Sequence, residues 1–140
     1  MALELVPLGT AEIGLSEPLM MPGGPYGTRA IVDIVSAEYR GDRLRGKLKG
    51  AAAADWLVVS PEGIGMMDVR LTVETDDGAL LYAAYHGRVD ISGGIEGATV
   101  YSTPLFESGD ERYAWLNKIQ LVAKGVITQG VLRYEIYELR

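Results

Sequence analysis

MMDVRLTVETDDGALLYAAYHGR, residues Met66–Arg88, is the stretch whose reading decides the fold. Two apolar-rich runs flank Asp77-Gly78. Asp-Gly in that setting is a strong hairpin signal, because a two-residue type I′ turn needs positive φ at both central positions. With those two residues as the loop, Asp76 faces Ala79, Thr72 faces Ala83 and Arg70 faces Tyr85. Side chains alternate along a strand, so this register groups Asp68, Arg70, Thr72 and Glu74 with Leu81, Ala83 and Tyr85. Val69, Leu71 and Val73 fall on the reverse face with Tyr82, Ala84 and His86. One face is charged with an aromatic flank, and the other is oily.

Outward from the hairpin the strand pattern recurs. Ala2–Leu8, Ala11–Leu15, Arg43–Lys49, Asp55–Val59 and Ala98–Thr103 read as strands, and Arg29–Tyr39 reads as a strand apolar on both faces. Tyr113–Val122 alternates, with Tyr113, Trp115 and Asn117 on one face, and the last strand, Val131–Leu139, aligns Leu132, Tyr134 and Ile136. Ser16–Gly27 holds three prolines and three glycines and reads as a long loop. About nine or ten short strands with turns between them and little or no helix predict an all-β fold, an antiparallel β-barrel. Closure is preferred over a sandwich because it removes exposed sheet edges. A single domain spans residues 1–140, a length that suits one hydrophobic core.

Composition excludes several classes of function. Thirteen Lys and Arg against nineteen Asp and Glu give a net charge of −6, which opposes nucleic-acid binding and adhesion to anionic membranes. With no cysteine and one histidine, a thiolate nucleophile, a disulfide framework, a Cys-based zinc site and a multi-histidine metal centre are ruled out, which leaves only carboxylate-rich metal sites. No metal and no cofactor are expected, and the Gly-rich patches match no phosphate loop, since neither GxGxxG nor GK[ST] occurs. The amino-terminal stretch lacks a signal-peptide pattern and no run reaches the length of a membrane span, so a cytoplasmic protein is expected.

Five segments carry a further reading: Gly27-Thr28-Arg29-Ala30-Ile31-Val32, Ala54-Asp55-Trp56, Met67-Asp68-Val69-Arg70 with Thr75-Asp76-Asp77-Gly78-Ala79, Phe106-Glu107-Ser108-Gly109, and Tyr113-Ala114-Trp115-Leu116-Asn117. In this order and spacing the chain resembles the DUF3237 (UPF0311) family of small bacterial and fungal proteins. The resemblance implies an antiparallel β-barrel of lipocalin-like appearance, and no activity.

The expected function is that of a cofactor-independent lyase or isomerase, moving a proton on a small aromatic or carbonyl compound inside the barrel. Asp68 is the candidate proton-transfer group, because a carboxylate near an apolar surface in a dry cavity has a raised pKa and can act as a general base, and Arg70 is its orienting partner or the stabiliser of developing negative charge. Tyr26, Arg29, Asp55, Tyr85, Trp115 and Asn117 are the candidate ligand-binding residues, supplying ring area and polar tips. The plainer reading turns the Asp68–Glu74 row to water and puts Trp56 in the core with Asp55 at a strand end. His86, in this register, points away from Asp68. The alternative is a non-catalytic small-molecule binding protein using the same cavity. A third reading is a homo-oligomer packed through Ala30–Val35, and it overtakes the other two if side chains fully pack the lumen.

Overall fold

The computed structural model describes residues 1–140. Eleven strands form one sheet: β1 (Leu5–Leu15), β2 (Leu19–Gly24), β3 (Gly27–Arg40), β4 (Gly46–Leu48), β5 (Ala54–Val59), β6 (Ile64–Thr75), β7 (Leu80–Asp90), β8 (Thr99–Ser102), β9 (Leu105–Glu107), β10 (Leu121–Thr128) and β11 (Val131–Leu139). Eight of them close an antiparallel ring in the order β6–β5–β3–β1–β11–β10–β8–β7–β6. The three short strands lie outside the ring: β2 on β3, β4 bridging β3 and β6, and β9 on β7. The expected barrel is present.

The β6–β7 hairpin forms as the sequence predicts, but one residue out of the expected register. Thr75 closes on Ala79, so the loop is the three residues Asp76-Asp77-Gly78. The Gly78 N–H donates to the Thr75 carbonyl at 2.9 Å, and Gly78 takes a positive φ of 91°. The Thr75 hydroxyl donates to Asp77 Oδ1 at 2.6 Å and accepts the Ala79 N–H at 2.8 Å, which holds the wider turn. A three-residue loop of this kind is a type I turn followed by a left-handed residue. Arg70 therefore pairs with Ala84 and Thr72 with Tyr82. A slip of one residue moves every side chain of a strand to the opposite face. Leu81, Ala83 and Tyr85 thus join Val69, Leu71 and Val73 in the interior, while Asp68, Arg70, Thr72 and Glu74 face outward.

Two other elements differ from expectation. Within Ser16–Gly27, Leu19–Met21 pair with Ile31–Arg29 as β2, and the register breaks between Met21 and Gly24, around Pro22. A strand with one free edge tolerates a proline that a central strand would reject. The expected strand over Tyr113–Val122 is instead a 3₁₀ helix, Glu111–Lys118, followed by β10. Asp110 caps it, its carboxylate accepting the Arg112 N–H at 2.9 Å and its carbonyl the Tyr113 N–H at 3.0 Å. Local capping overrides a chance alternation of apolar residues.

A continuous cluster of 26 buried residues fills the lumen, drawn from every strand of the closed ring except β5 and joined by Leu116 of the helix. Gly125 keeps the wall open for one of its rings: a Cβ there would sit 2.7 Å from Cδ1 of Tyr134. No helix is long and apolar enough to cross a membrane.

Because the turn at Gly78 sets which side chains enter the lumen, Gly78→Ala is expected to cost about 1–2 kcal/mol, the penalty for a side chain in the left-handed region. Urea unfolding measures it; unchanged stability would mean that the turn relaxes to another register without loss.

Candidate functional site

The polar groups of the lumen come from five strands. Asp55 on β5, Val69 on β6 and Tyr85 on β7 are successive cross-strand neighbours, so Asp55 and Tyr85 flank Val69 on one wall. Across from them, Tyr134 and Tyr39 flank Ala11 of β1. Tyr85 and Tyr134 meet edge to face, with ring centroids 5.9 Å apart and planes at 90°. Ser102 of β8 faces the same interior, and all five side chains are buried.

Asp55 sits where the β5–β6 ladder is interrupted, between the pairs Asp55–Val69 and Val58–Met66. Its Oδ1 accepts the backbone N–H of Asp68 at 3.0 Å, standing in for a strand carbonyl. The Trp56 carbonyl in the same gap accepts from Arg29 Nη1 at 2.9 Å. Burial pushes the Asp55 carboxyl up to about 6; the Asp68 N–H opposes this and the Asp68 carboxylate adds to it. Burial also raises Tyr85 well above its ordinary value, with Tyr134, Tyr39 and Asp55 contributing. Burial pushes Tyr134 up to about 12, offset in part by the nearby Ser102 and Tyr85 hydroxyls. Those hydroxyls are close enough to perturb one another, yet Ser102 Oγ and Tyr134 Oη close no hydrogen bond of good geometry. A carboxyl that titrates near neutrality beside unpaired hydroxyls can give and take a proton within a dry space.

Two of the candidate residues, Asp55 and Tyr85, come together in this cluster. Asp68 and Arg70 do not. Asp68 is half exposed on the outer wall, its Oδ1 3.5 Å from His86 Nε2, so the histidine lies on the same side as Asp68 rather than opposite it. The Arg70 guanidinium lies 4.3 Å over the ring of Trp56, also outside. The plainer reading of Asp55-Trp56 is thereby reversed, the acid facing in and the indole out. Arg29 spans the outer side of the ladder gap, and Tyr26 is exposed at the β2–β3 turn.

Trp115 and Asn117 belong to the helix at the end of the barrel. The Arg43 guanidinium covers Trp115 at 4.8 Å. The Asn117 amide donates to the Ser108 carbonyl and its oxygen accepts the Ser108 N–H, both at 2.8 Å. Tyr113 donates to Asp77 Oδ1 at 2.7 Å, and Arg112 Nη1 donates to the Asp77 carbonyl at 2.8 Å. These contacts clasp the helix to the β6–β7 turn. Tyr39, Ser102 and Tyr134 were missed as site residues, although Tyr134 shares the apolar face of the last strand with Leu132 and Ile136. A hollow of about 440 Å³ lies elsewhere, on the outer wall, lined by Glu12, Val35, Ser36, Ala37, Glu38, Lys47, Leu48 and Gly50.

A family model described as "Protein of unknown function (DUF3237)" matches residues 3–139. The chain belongs to this family. The relatives of this DUF3237 protein include a UPF0311 protein of Rhodopseudomonas palustris, 26% identical over 102 residues, covering 64% of this chain and 66% of that one. The chain thus spans slightly less than two thirds of that relative. A β-barrel-like protein from Acinetobacter baumannii superposes with a TM-score of 0.90 at 26% identity, over 100% of this chain and 98% of the other. A protein described as an enzyme from Penicillium herquei superposes with a TM-score of 0.77 at 17% identity, over 99% and 94% of the two chains, a likeness of fold.

The raised Asp55 carboxyl has a consequence for stability. Well below pH 4 folded and unfolded chains both hold its proton. As pH rises the unfolded chain ionises first, so stability falls until the native carboxyl ionises near 6. The cost at pH 8 is roughly 3 kcal/mol. Asp55→Asn keeps the Oδ1 acceptor, and chemical denaturation should show a gain on that order at pH 8 and little at pH 4. An equal gain at both would mean that burial does not shift this group.

Proposed function

We propose that this DUF3237 protein is a cofactor-independent lyase or isomerase, in which Asp55 moves a proton on a small aromatic or carbonyl compound admitted to the lumen. The observation that carries the reading is the Asp55 carboxyl, buried inside the barrel and titrating near neutrality among tyrosine rings and unpaired hydroxyls. A general base works best when its pKa lies close to the working pH. The rings supply contact area for a flat ligand, and the hydroxyls can orient its oxygen atoms. The enzyme from Penicillium herquei shares the fold and supports chemistry on such a barrel, without naming a reaction. The chemistry expected of Asp68 is reassigned to Asp55, which lies across the β5–β6 boundary from it.

The test begins with a thermal-shift screen of phenolic and carbonyl compounds, because a ligand of the native state raises the melting temperature. Turnover or carbon-bound hydrogen exchange is then followed by NMR on the hits. The rate should rise as pH passes through about 6, and Asp55→Asn should abolish it while ligand affinity is kept. Turnover that survives Asp55→Asn would refute the assignment; ligands that bind and never change would establish the binding-protein alternative instead.

A second reading is favoured by the outer wall. Leu19, Ile31 and Trp56 form one cross-strand row, and Met21, Arg29, Val58 and Met66 another. Leu19 and Met21 are exposed. Together with the filled lumen this supports a homo-oligomer packed through the outer side of β2 and β3, beside the Ala30–Val35 segment. Light scattering should then report a dimer or larger species, and the double variant Leu19→Glu, Met21→Glu a monomer. A monomeric parent protein at high micromolar concentration would exclude this assembly.

A further inference from the structure

β3 carries Arg29, Ile31 and Asp33 on its outer side, alternating with the buried Ala30, Val32 and Ile34. The outer apolar rows cross this segment: Leu19 and Trp56 flank Ile31, and Met21 and Val58 flank Arg29. Arg29 and Asp33 thus bracket the apolar centre with opposite charges, each about 7 Å along the strand from Ile31. Neither forms an ion pair within the chain. Arg29 uses Nη1 on the Trp56 carbonyl, which leaves Nε and Nη2 for another acceptor.

The free edge of β2 offers a partner little. Its one neighbour is β3. The Asp33 N–H and C=O both turn to Ser16, on the side of β3 where β2 lies, and the Ile34 N–H turns to Ala53 on the other. Backbone groups alternate along a strand, so Ile31 and Arg29 bind Leu19 and Met21, and Met20 turns its N–H and C=O outward. The next positions that face outward, 18 and 22, are both proline and have no N–H. A single donor is left, and prolines on an edge strand oppose strand addition. A partner is therefore held by the face of this hairpin rather than by its edge.

We propose that a second copy of this chain packs face to face on the outer side of β3, the two β3 strands antiparallel about a twofold axis at Ile31, so that Arg29 meets Asp33 of the partner subunit. The inference rests on the homo-oligomer reading above and fixes its geometry. Charge argues for a second copy over an unrelated protein. A twofold interface lays one patch on itself, so each charge needs its opposite where the axis carries it, and β3 provides that arrangement. Stacked sheets lie about 10 Å apart, a gap that arginine and aspartate side chains span together. Leu19, Met21, Ile31 and Trp56 are then withdrawn from water between two ion pairs. Because the same axis applied twice returns the first copy, assembly stops at a dimer.

Sedimentation velocity on the parent protein and two charge reversals tests this arrangement. The parent should be dimeric at tens of micromolar, and its dissociation constant should rise with salt. Asp33→Arg and Arg29→Glu should each weaken the dimer about tenfold or more, because each sets like charges together twice. An equimolar mixture of the two variants should recover a dimer, since both contacts again join opposite charges. Asp33 is exposed, so Asp33→Arg should keep the parent melting temperature. If Arg29→Glu fails to fold for want of the Trp56 contact, Asp33→Arg carries the test, and Asp33→Asn should weaken the dimer less than it does. A parent that is monomeric at high micromolar concentration overturns this inference and the homo-oligomer reading together. A dimer that Leu19→Glu, Met21→Glu disperses but Asp33→Arg leaves intact overturns the geometry alone. So does a mixture that stays monomeric although both variants fold.

Discussion

One turn decides what the barrel contains. Asp76-Asp77-Gly78 forms a three-residue loop because Thr75 binds both Asp77 and Ala79 through its hydroxyl, and Gly78 takes the left-handed conformation that closes it. A two-residue turn on the same sequence would offset β7 by one position against β6. That offset would send Tyr85 out into water and turn His86 and Tyr82 inward. The pleat allows no intermediate arrangement, so the chemistry of the lumen depends on a few hydrogen bonds at its far end.

The same end of the barrel gathers segments distant in sequence. Tyr113 and Arg112 bind Asp77, and Asn117 binds the backbone of Ser108 in both directions. The side-chain hydrogen bond of Thr75, and after it that of Tyr113, hold the Asp77 carboxyl below its ordinary value. The clasp and the turn are thus one structure, which couples the helix to the register of the hairpin. Motifs that carry the family resemblance divide accordingly. Thr75–Ala79, Phe106–Gly109 and Tyr113–Asn117 meet in this clasp, while Gly27–Val32, Ala54–Trp56 and Met67–Arg70 meet at the ladder gap, where the Asp68 N–H reaches the Asp55 carboxylate and Arg29 reaches the Trp56 carbonyl.

The lumen cluster runs against the rule that governs the rest of the core. Ile13, Leu71, Leu81 and Leu132 are fully enclosed by apolar neighbours, as expected of a packed interior. Asp55 is enclosed with a charge that burial disfavours, and the Ser102 and Tyr134 hydroxyls are enclosed without partners. Departures of this kind lower stability and are commonly kept at sites that bind or react.

Much of the fold is legible in the chain. Period-two alternation, turn residues and the lack of amphipathic helix specify a closed antiparallel barrel, and composition alone dismisses thiol chemistry and histidine metal centres. The alternation of Leu132, Tyr134 and Ile136 already aims a tyrosine inward. The orientation of β6 against β7 was not legible, because Asp-Gly suits either a two-residue turn or the end of a three-residue one, and the choice rests on the Thr75 hydroxyl. Nor could strand pattern reveal that Tyr113–Asn117 is helical, since its cap, Asp110, acts through local contacts to Arg112 and Tyr113 that alternation does not register. Asp55 and Trp56 are adjacent, so sequence dictates that they face opposite ways. Only closure of the ring determines which of them meets water, because inside and outside do not exist until distant strands join.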